Sequence, residues 1–444
     1  MDDEQLTGAP VKRGPGRAVW VAGGAALAVA VAAVAWSVVG REDPGPAPGG
    51  GGVSVTPTAT GSVPDAETQM LTEIDAVLKA RAAAVLAGRL PQYLATVDAK
   101  NAKLVQRDKQ VFANLRKLGL KQFSYARETS FVPEKHGTDG WAVRLMMVLQ
   151  IEGIDAAPRA TPLGYTFAQR GGRWLLVADD DLAAESDRGT YREPWDLGPI
   201  EVARGGGVLV VVPAGEGANA RRLVQESREA LPAVRLATRR AQQGILVIAM
   251  RDRKSMDTEW ATGGHPAGAV SVRNYSPTDA ALTSFKVTGS RIVINPTYRE
   301  TSDRFLLAHE FTHAALSTLG NSAPTWLVEG FAMYVENRLA EQSGSADQVA
   351  DWRDKLLSKS VKPLVVLPID GIFHGDYDEE SYGVSWLIVE YLVTKYGLDK
   401  VNALYADLAK GSDDPAAREQ TLRKHLKLSE AALVAALKKY TGPS

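Results

Sequence analysis

Two histidines four residues apart are the first feature of this 444-residue chain whose residue types and spacing suggest chemistry. His309-Glu310-Phe311-Thr312-His313 lies in a largely apolar stretch that reads as a helix over Asp303–Leu319, with Asp303 as its N-terminal cap. Positions i and i+4 share a helix face, so both imidazoles can reach one tetrahedral zinc ion. Glu310, beside the first histidine, is placed to take a proton from metal-bound water. The chain holds six histidines and no cysteine. Disulfides, thiolate zinc sites, iron–sulfur clusters and thiol nucleophiles are therefore excluded, and any metal must be held by His, Asp or Glu. Zinc of this kind needs a third protein ligand while a fourth position stays open to water. No histidine follows between Ala314 and Thr325. Glu329, flanked by apolar residues in the run Trp326 to Glu336, is an expensive carboxylate to bury unless it pairs or binds metal.

HEFTH followed by WLVEGFAMYVE resembles the gluzincin metallopeptidases, the clan of thermolysin and the zinc aminopeptidases, and most of all their short peptidase MA-like members. The resemblance implies His309, His313 and Glu329 as ligands of one Zn2+ and Glu310 as general base. It also implies that Glu336, on the Glu329 face of its helix, supports the ligands from behind. The segment Asp376–Gly397 resembles the family's following helix. On that match Tyr382, at its first turn, steadies the oxyanion of the tetrahedral intermediate, with Tyr377 and His374 behind it. Arg291–Ile294 resembles the edge strand on which a peptide substrate is laid. The aminopeptidases carry a Gly-x-Met-Glu-Asn strand whose Glu holds the substrate's amino terminus. Its nearest match here, Gly268-Ala269-Val270-Ser271, has no acid. The resemblance therefore implies an endopeptidase-like cleft acting on a peptide or protein, rather than a strict aminopeptidase.

The elements that must position these residues follow a clear order. Residues 18–39 carry no charge and are long enough to cross a bilayer core of about 30 Å, with Lys12, Arg13 and Arg17 ahead of them. They read as a single-pass anchor, with residues 1–17 cytoplasmic and the rest extracytoplasmic. Residues 40–65 are rich in Gly, Pro, Ser and Thr and read as a flexible tether. Residues 66–195 place helices before antiparallel strands, an α+β unit whose architecture resembles the cone-like nuclear-transport-factor-2-like and SnoaL-like folds. Residues 205–440 put strands first (Val208–Pro213, Ile245–Met250, Ser290–Asn295) and helices after, as a gluzincin-type domain does. With 51 Lys and Arg against 52 Asp and Glu, the chain lacks the basic footprint of a nucleic-acid binder. Nothing in the sequence addresses oligomeric state. The alternative to an enzyme is a non-catalytic envelope scaffold that keeps the gluzincin fold for binding.

Overall fold

The structure, a computed structural model, describes residues 66–128, 132–179, 193–240, 244–249, 251, 268–279, 282, 284–370, 373 and 378–443. Met70, Ile74, Leu78 and Val85 recur at helical spacing and form the buried stripe of α1 (Ala66–Ala87). Two further helices follow, α2 (Leu90–Leu94) and α3 (Ala102–Lys117). They cover an antiparallel sheet of β1 (Leu120–Arg127), β2 (Glu134–His136), β3 (Gly140–Ile151), β4 (Arg159–Arg170) and β5 (Arg173–Ala178). Its order is β1-β3-β4-β5, with β2 beside β3. Gly171 and Gly172 both take positive φ at the β4–β5 turn, where a side chain would be strained.

A short helix, α4 (Pro194–Leu197), leads into a second sheet of β6 (Ile200–Gly205), β7 (Val208–Pro213), β8 (Ile245–Ala249), β9 (Ala269–Pro277) and β10 (Phe285–Ile294). The order is β6-β7-β8-β10-β9. The three inner strands run parallel, and β6 and β9 lie antiparallel at the two edges. Arg291–Ile294 is therefore interior, not the expected edge. Ile292, Val293 and Ile294 are fully buried, and a strand apolar on both faces belongs inside a sheet. The half-exposed Ser271 and Arg273 of β9 suit an edge.

The helix α5 (Gly217–Thr238) crosses from β7 to β8, and the longer described elements after β10 are helices: α6 (Arg304–Leu316), α7 (Thr325–Ala340), α8 (Ala346–Leu356), α9 (Asp378–Tyr396), α10 (Leu398–Lys410), α11 (Pro415–Leu426) and α12 (Glu430–Leu437). The expected α+β order is thus what the chain adopts. Alternate residues of the second sheet enter different cores. Val208, Val210, Val247 and Ile292 face α5, α6 and α7, whereas Leu209, Val211, Ile248 and Val293 face the N-terminal helices and sheet. Polar contacts join the same layers: the Asn114 amide donates to the Trp195 and Gly198 carbonyls at 2.9 and 2.8 Å, and the Ser276 hydroxyl donates to the Pro158 carbonyl. The second sheet is the middle layer of the molecule.

A second expectation is corrected. No helix among the described residues is long and apolar enough to cross a membrane. The longest ones are charged along their length, as α1 is with Glu67, Glu73, Asp75, Lys79 and Arg81. Residues 18–39, on which the anchor rested, lie outside the described residues, as do 1–17 and 40–65. The transmembrane assignment and the single-pass, extracytoplasmic location therefore have no described helix to support them and are dropped.

Candidate metal centre

The helix that carries the two histidines starts where the sequence says it should. The Asp303 carboxylate accepts from the N–H groups of Phe305 and Leu306 at 3.0 and 3.1 Å, a cap worth about 1 kcal/mol. Every residue of α6 from Leu307 to Leu316 is buried, so the helix runs through the interior. Its partner α7 approaches α9 closely at Gly330, where a Cβ would overlap the Ser385 carbonyl. That close approach seats the neighbouring Glu329 deep in the fold.

His309, His313 and Glu329 converge. Glu329 Oε2 lies 3.3 Å from His309 Nε2 and 3.4 Å from His313 Nε2, and one ligand atom from each residue falls within 4.8 Å of the others. None of these pairs has hydrogen-bond geometry: both Nε2 atoms and both Glu329 oxygens are buried without a partner. Unsatisfied buried donors and acceptors are costly. Their cost is relieved by a cation at their common focus, because three donors about 2.0–2.1 Å from a tetrahedral zinc lie roughly 3.3 Å apart. The residues present fit the ion. Glu310 is fully buried beside them, and both its oxygens also lack partners. Glu336 Oε2 stands 3.1 Å from His309 Nδ1, on the far side of that ring.

The local charges favour a cation as well. Burial works against a charged His309, yet Glu329 and Glu336 outweigh it and raise its pKa to about 10. Burial pushes Glu329 up, but His313 and His309 pull harder and hold it below the ordinary carboxylate range. For Glu310 burial wins over the two histidines, and its carboxyl rises, as suits a group that must accept and release a proton.

A cavity of about 350 Å³ opens against His313. Its walls include Ser271 and Arg273 from the edge strand, Ser290 from β10, and Tyr405 from α10. The Tyr405 phenol is raised well above its ordinary pKa by burial and by the nearby Glu329, against the pull of Arg273, so its hydroxyl stays protonated. Tyr382, the expected oxyanion group, is buried with its ring edge-on to Phe373 at 5.4 Å and does not line this cavity. His374 and Tyr377 lie outside the described residues. The sequence had no signal for Tyr405, whose spacing from Val401, Leu404 and Leu408 reads as ordinary helix core. Nor did it single out Arg273.

Residues 274–421 match the profile of the Peptidase MA superfamily. No curated protein matches the chain. Among solved structures, yeast LTA4 hydrolase in complex with bestatin is 16% identical at a TM-score of 0.33, covering 51% of this chain and 36% of that one. A mutant M1 zinc metallopeptidase from Deinococcus radiodurans is 15% identical at a TM-score of 0.34, covering 69% of this chain and 63% of that one. The chain thus spans about a third and just under two thirds of their respective lengths. The superfamily match contains both histidines and all three glutamates of the cluster. Together with an α+β chain whose C-terminal half is helical, it supports a gluzincin-type fold.

Proposed function

We propose that this protein hydrolyses peptide bonds with one zinc ion held by His309, His313 and Glu329, and that Glu310 is the general base. The observation that carries the reading is the set of buried, unpartnered atoms of these residues converging on one point. A bound zinc supplies Lewis-acid polarisation of the scissile carbonyl and lowers the pKa of water. Glu310 takes the proton of the attacking water and returns it to the leaving amine nitrogen, a role suited to its raised pKa. Glu336 accepts from the His309 Nδ1–H, which fixes the ring and leaves Nε2 for the metal. A tyrosine hydroxyl donates to the developing oxyanion. Tyr382 takes this part on the family pattern, while the cavity-lining position of Tyr405 favours it as the second candidate.

The substrate is a peptide or protein. An endopeptidase-like cleft is supported by β9, which has no acid from Ala269 to Arg273 that could hold a free amino terminus. The N-terminal unit, with helices over a five-stranded antiparallel sheet, is read as a cone-like accessory domain of the nuclear-transport-factor-2-like kind. The test is metal analysis of the full chain, wild type against His309→Ala, with a peptide-library digest by wild type and Glu310→Gln. One zinc per wild-type chain, near none in His309→Ala, and cleavage lost in Glu310→Gln with zinc retained is the expected result. Equal, near-zero zinc in both proteins would sink the reading.

A further inference from the structure

The cavity beside His313 contains a cation that the proposed hydrolysis does not use. Arg273 lines it from the edge strand, and among the described residues its guanidinium makes one hydrogen bond, Nη2 to the Gly320 carbonyl at 3.3 Å. No carboxylate among the described residues pairs with it. The cavity's other arginine, Arg418, is different: Asp413 lies 3.3 Å away and Asp370 4.0 Å away, so its charge is offset.

Arg273 also has a polar neighbour with nothing to bind. In the β9–β10 register Arg273 stands directly opposite Ser290, and cross-strand partners share a face with Cβ atoms about 5 Å apart. Ser290 is 6% exposed, lines the same cavity, and its Oγ is buried without a hydrogen-bond partner. A buried hydroxyl left unsatisfied carries a free-energy cost that a ligand can remove. A guanidinium and an unpartnered hydroxyl that line one cavity can each donate a hydrogen bond to a carboxylate, and bonds to that charged group are the stronger kind.

We propose that Arg273 and Ser290 form a carboxylate-binding subsite next to the metal centre, and that the preferred substrates present a peptide carboxylate there. The inference rests on the peptidase reading and sharpens it to peptides that present a carboxylate beside the scissile bond. The carboxylate has two possible sources, an Asp or Glu side chain near the scissile bond or the peptide's own C-terminus. Arg273 is a specificity-determining residue here and takes no part in bond cleavage.

The test uses the full zinc-loaded chain and quenched fluorescent peptides in matched pairs: internal Glu against Gln, and free C-terminal acid against amide. Wild type is expected to prefer one member of a pair by about tenfold in kcat/KM, mostly through KM. The Glu/Gln pair responding identifies a side chain, and the acid/amide pair identifies the C-terminus. Arg273→Ala should bring that ratio to about 1, and Ser290→Ala should lower it partway. A residue that only braced the Gly320 loop would slow both members of a pair alike and leave the ratio standing. A wild-type ratio near 1 in both pairs, or a ratio that Arg273→Ala leaves in place, overturns the proposal. A second measurement separates this from the underlying reading: labelled peptides are bound to Glu310→Gln protein, with and without Arg273→Ala, and followed by anisotropy. About tenfold weaker binding of the carboxylate peptide without Arg273 upholds the subsite even if wild type cleaves nothing, which would defeat only the peptidase reading. Equal binding defeats the subsite.

Discussion

Two of the buried charge clusters among the described residues, one in each unit, are built on opposite plans. In the N-terminal unit Arg81 is 1% exposed and its guanidinium is met on several sides. It donates to Asp108 at 2.7 Å, to the Tyr93 hydroxyl at 2.6 Å and to Thr96 at 3.1 Å, and it lies 3.9 Å above the Tyr93 ring. Burial pulls its pKa down, but Asp108 and the surrounding tyrosines outweigh that and raise it well above its ordinary value. Only Arg81 Nε and one Asp108 oxygen stay unpartnered, each on a group already paired. In the second unit His309, His313 and Glu329 are as deeply buried, yet the atoms they turn toward one another make no hydrogen bonds. The contrast separates a buried charge that the protein neutralises for itself from a buried donor set left open for a cation. The first plan supports the fold, and the second supports chemistry.

Substitutions can break this comparison, and the largest effect is expected in the self-satisfied cluster. Arg81→Met leaves the Asp108 carboxylate buried without its cation and should cost about 3–5 kcal/mol of stability in denaturant titration. Zinc stoichiometry in the folded fraction should stay at the wild-type value, and a loss of zinc would mean that the two clusters are coupled. Next come the candidate oxyanion donors. Replacing the acting tyrosine with Phe should lower kcat by about 10²–10³ with zinc retained, so Tyr382→Phe and Tyr405→Phe measured side by side identify it. If neither changes kcat, the donor is neither of them. Glu336→Gln should weaken zinc binding by about 10–100-fold, read by competition with a chromophoric chelator, while the denaturation midpoint of the metal-free protein moves little. A large midpoint shift would show that the Glu336–His309 contact belongs to the supporting plan instead.

The smallest effect lies at the surface. Asp407 accepts from Lys424 and His425 at 2.6 and 2.8 Å, and these bonds lower its pKa to about 2. A carboxyl whose folded pKa is depressed contributes stability above its ordinary pKa and loses it as pH falls toward the folded value. The α10–α11 contact should therefore weaken only between about pH 4 and pH 2. Because the group is well exposed, the difference between wild type and Asp407→Asn in an acid titration should be slight. An effect as large as that of Arg81→Met would place Asp407 with the buried clusters.

Much of the site could be read from local pattern, because local geometry determines it. The i and i+4 histidines share a face on any helix, and Asp303 caps that helix through bonds to residues two and three positions on. Glu329, a carboxylate among apolar neighbours, was expected to need a pairing group or a metal, but nothing local showed that Gly330 beside it lies against Ser385. Arg291–Ile294, by contrast, was expected at a sheet edge and lies inside. Strand order depends on partners far away in sequence, here the parallel β8 and the antiparallel β9. Tyr405 and Arg273 gave no local signal because their positions by the metal centre depend on how α10 and β9 pack around α6.

By itself the amino-acid sequence determined which metal chemistry is open to this protein: no thiol ligands, two histidines on one helix face, and carboxylates to complete the set. Residue type and short-range periodicity suffice for that, since a helix repeats every 3.6 residues wherever it is placed. Only the tertiary structure decided that the second sheet is shared between two cores, that β9 holds its edge beside the histidines, and that Arg273 and Ser290 share a cavity with His313. Those facts come from long-range packing, in which elements more than a hundred residues apart meet because each must bury an apolar face.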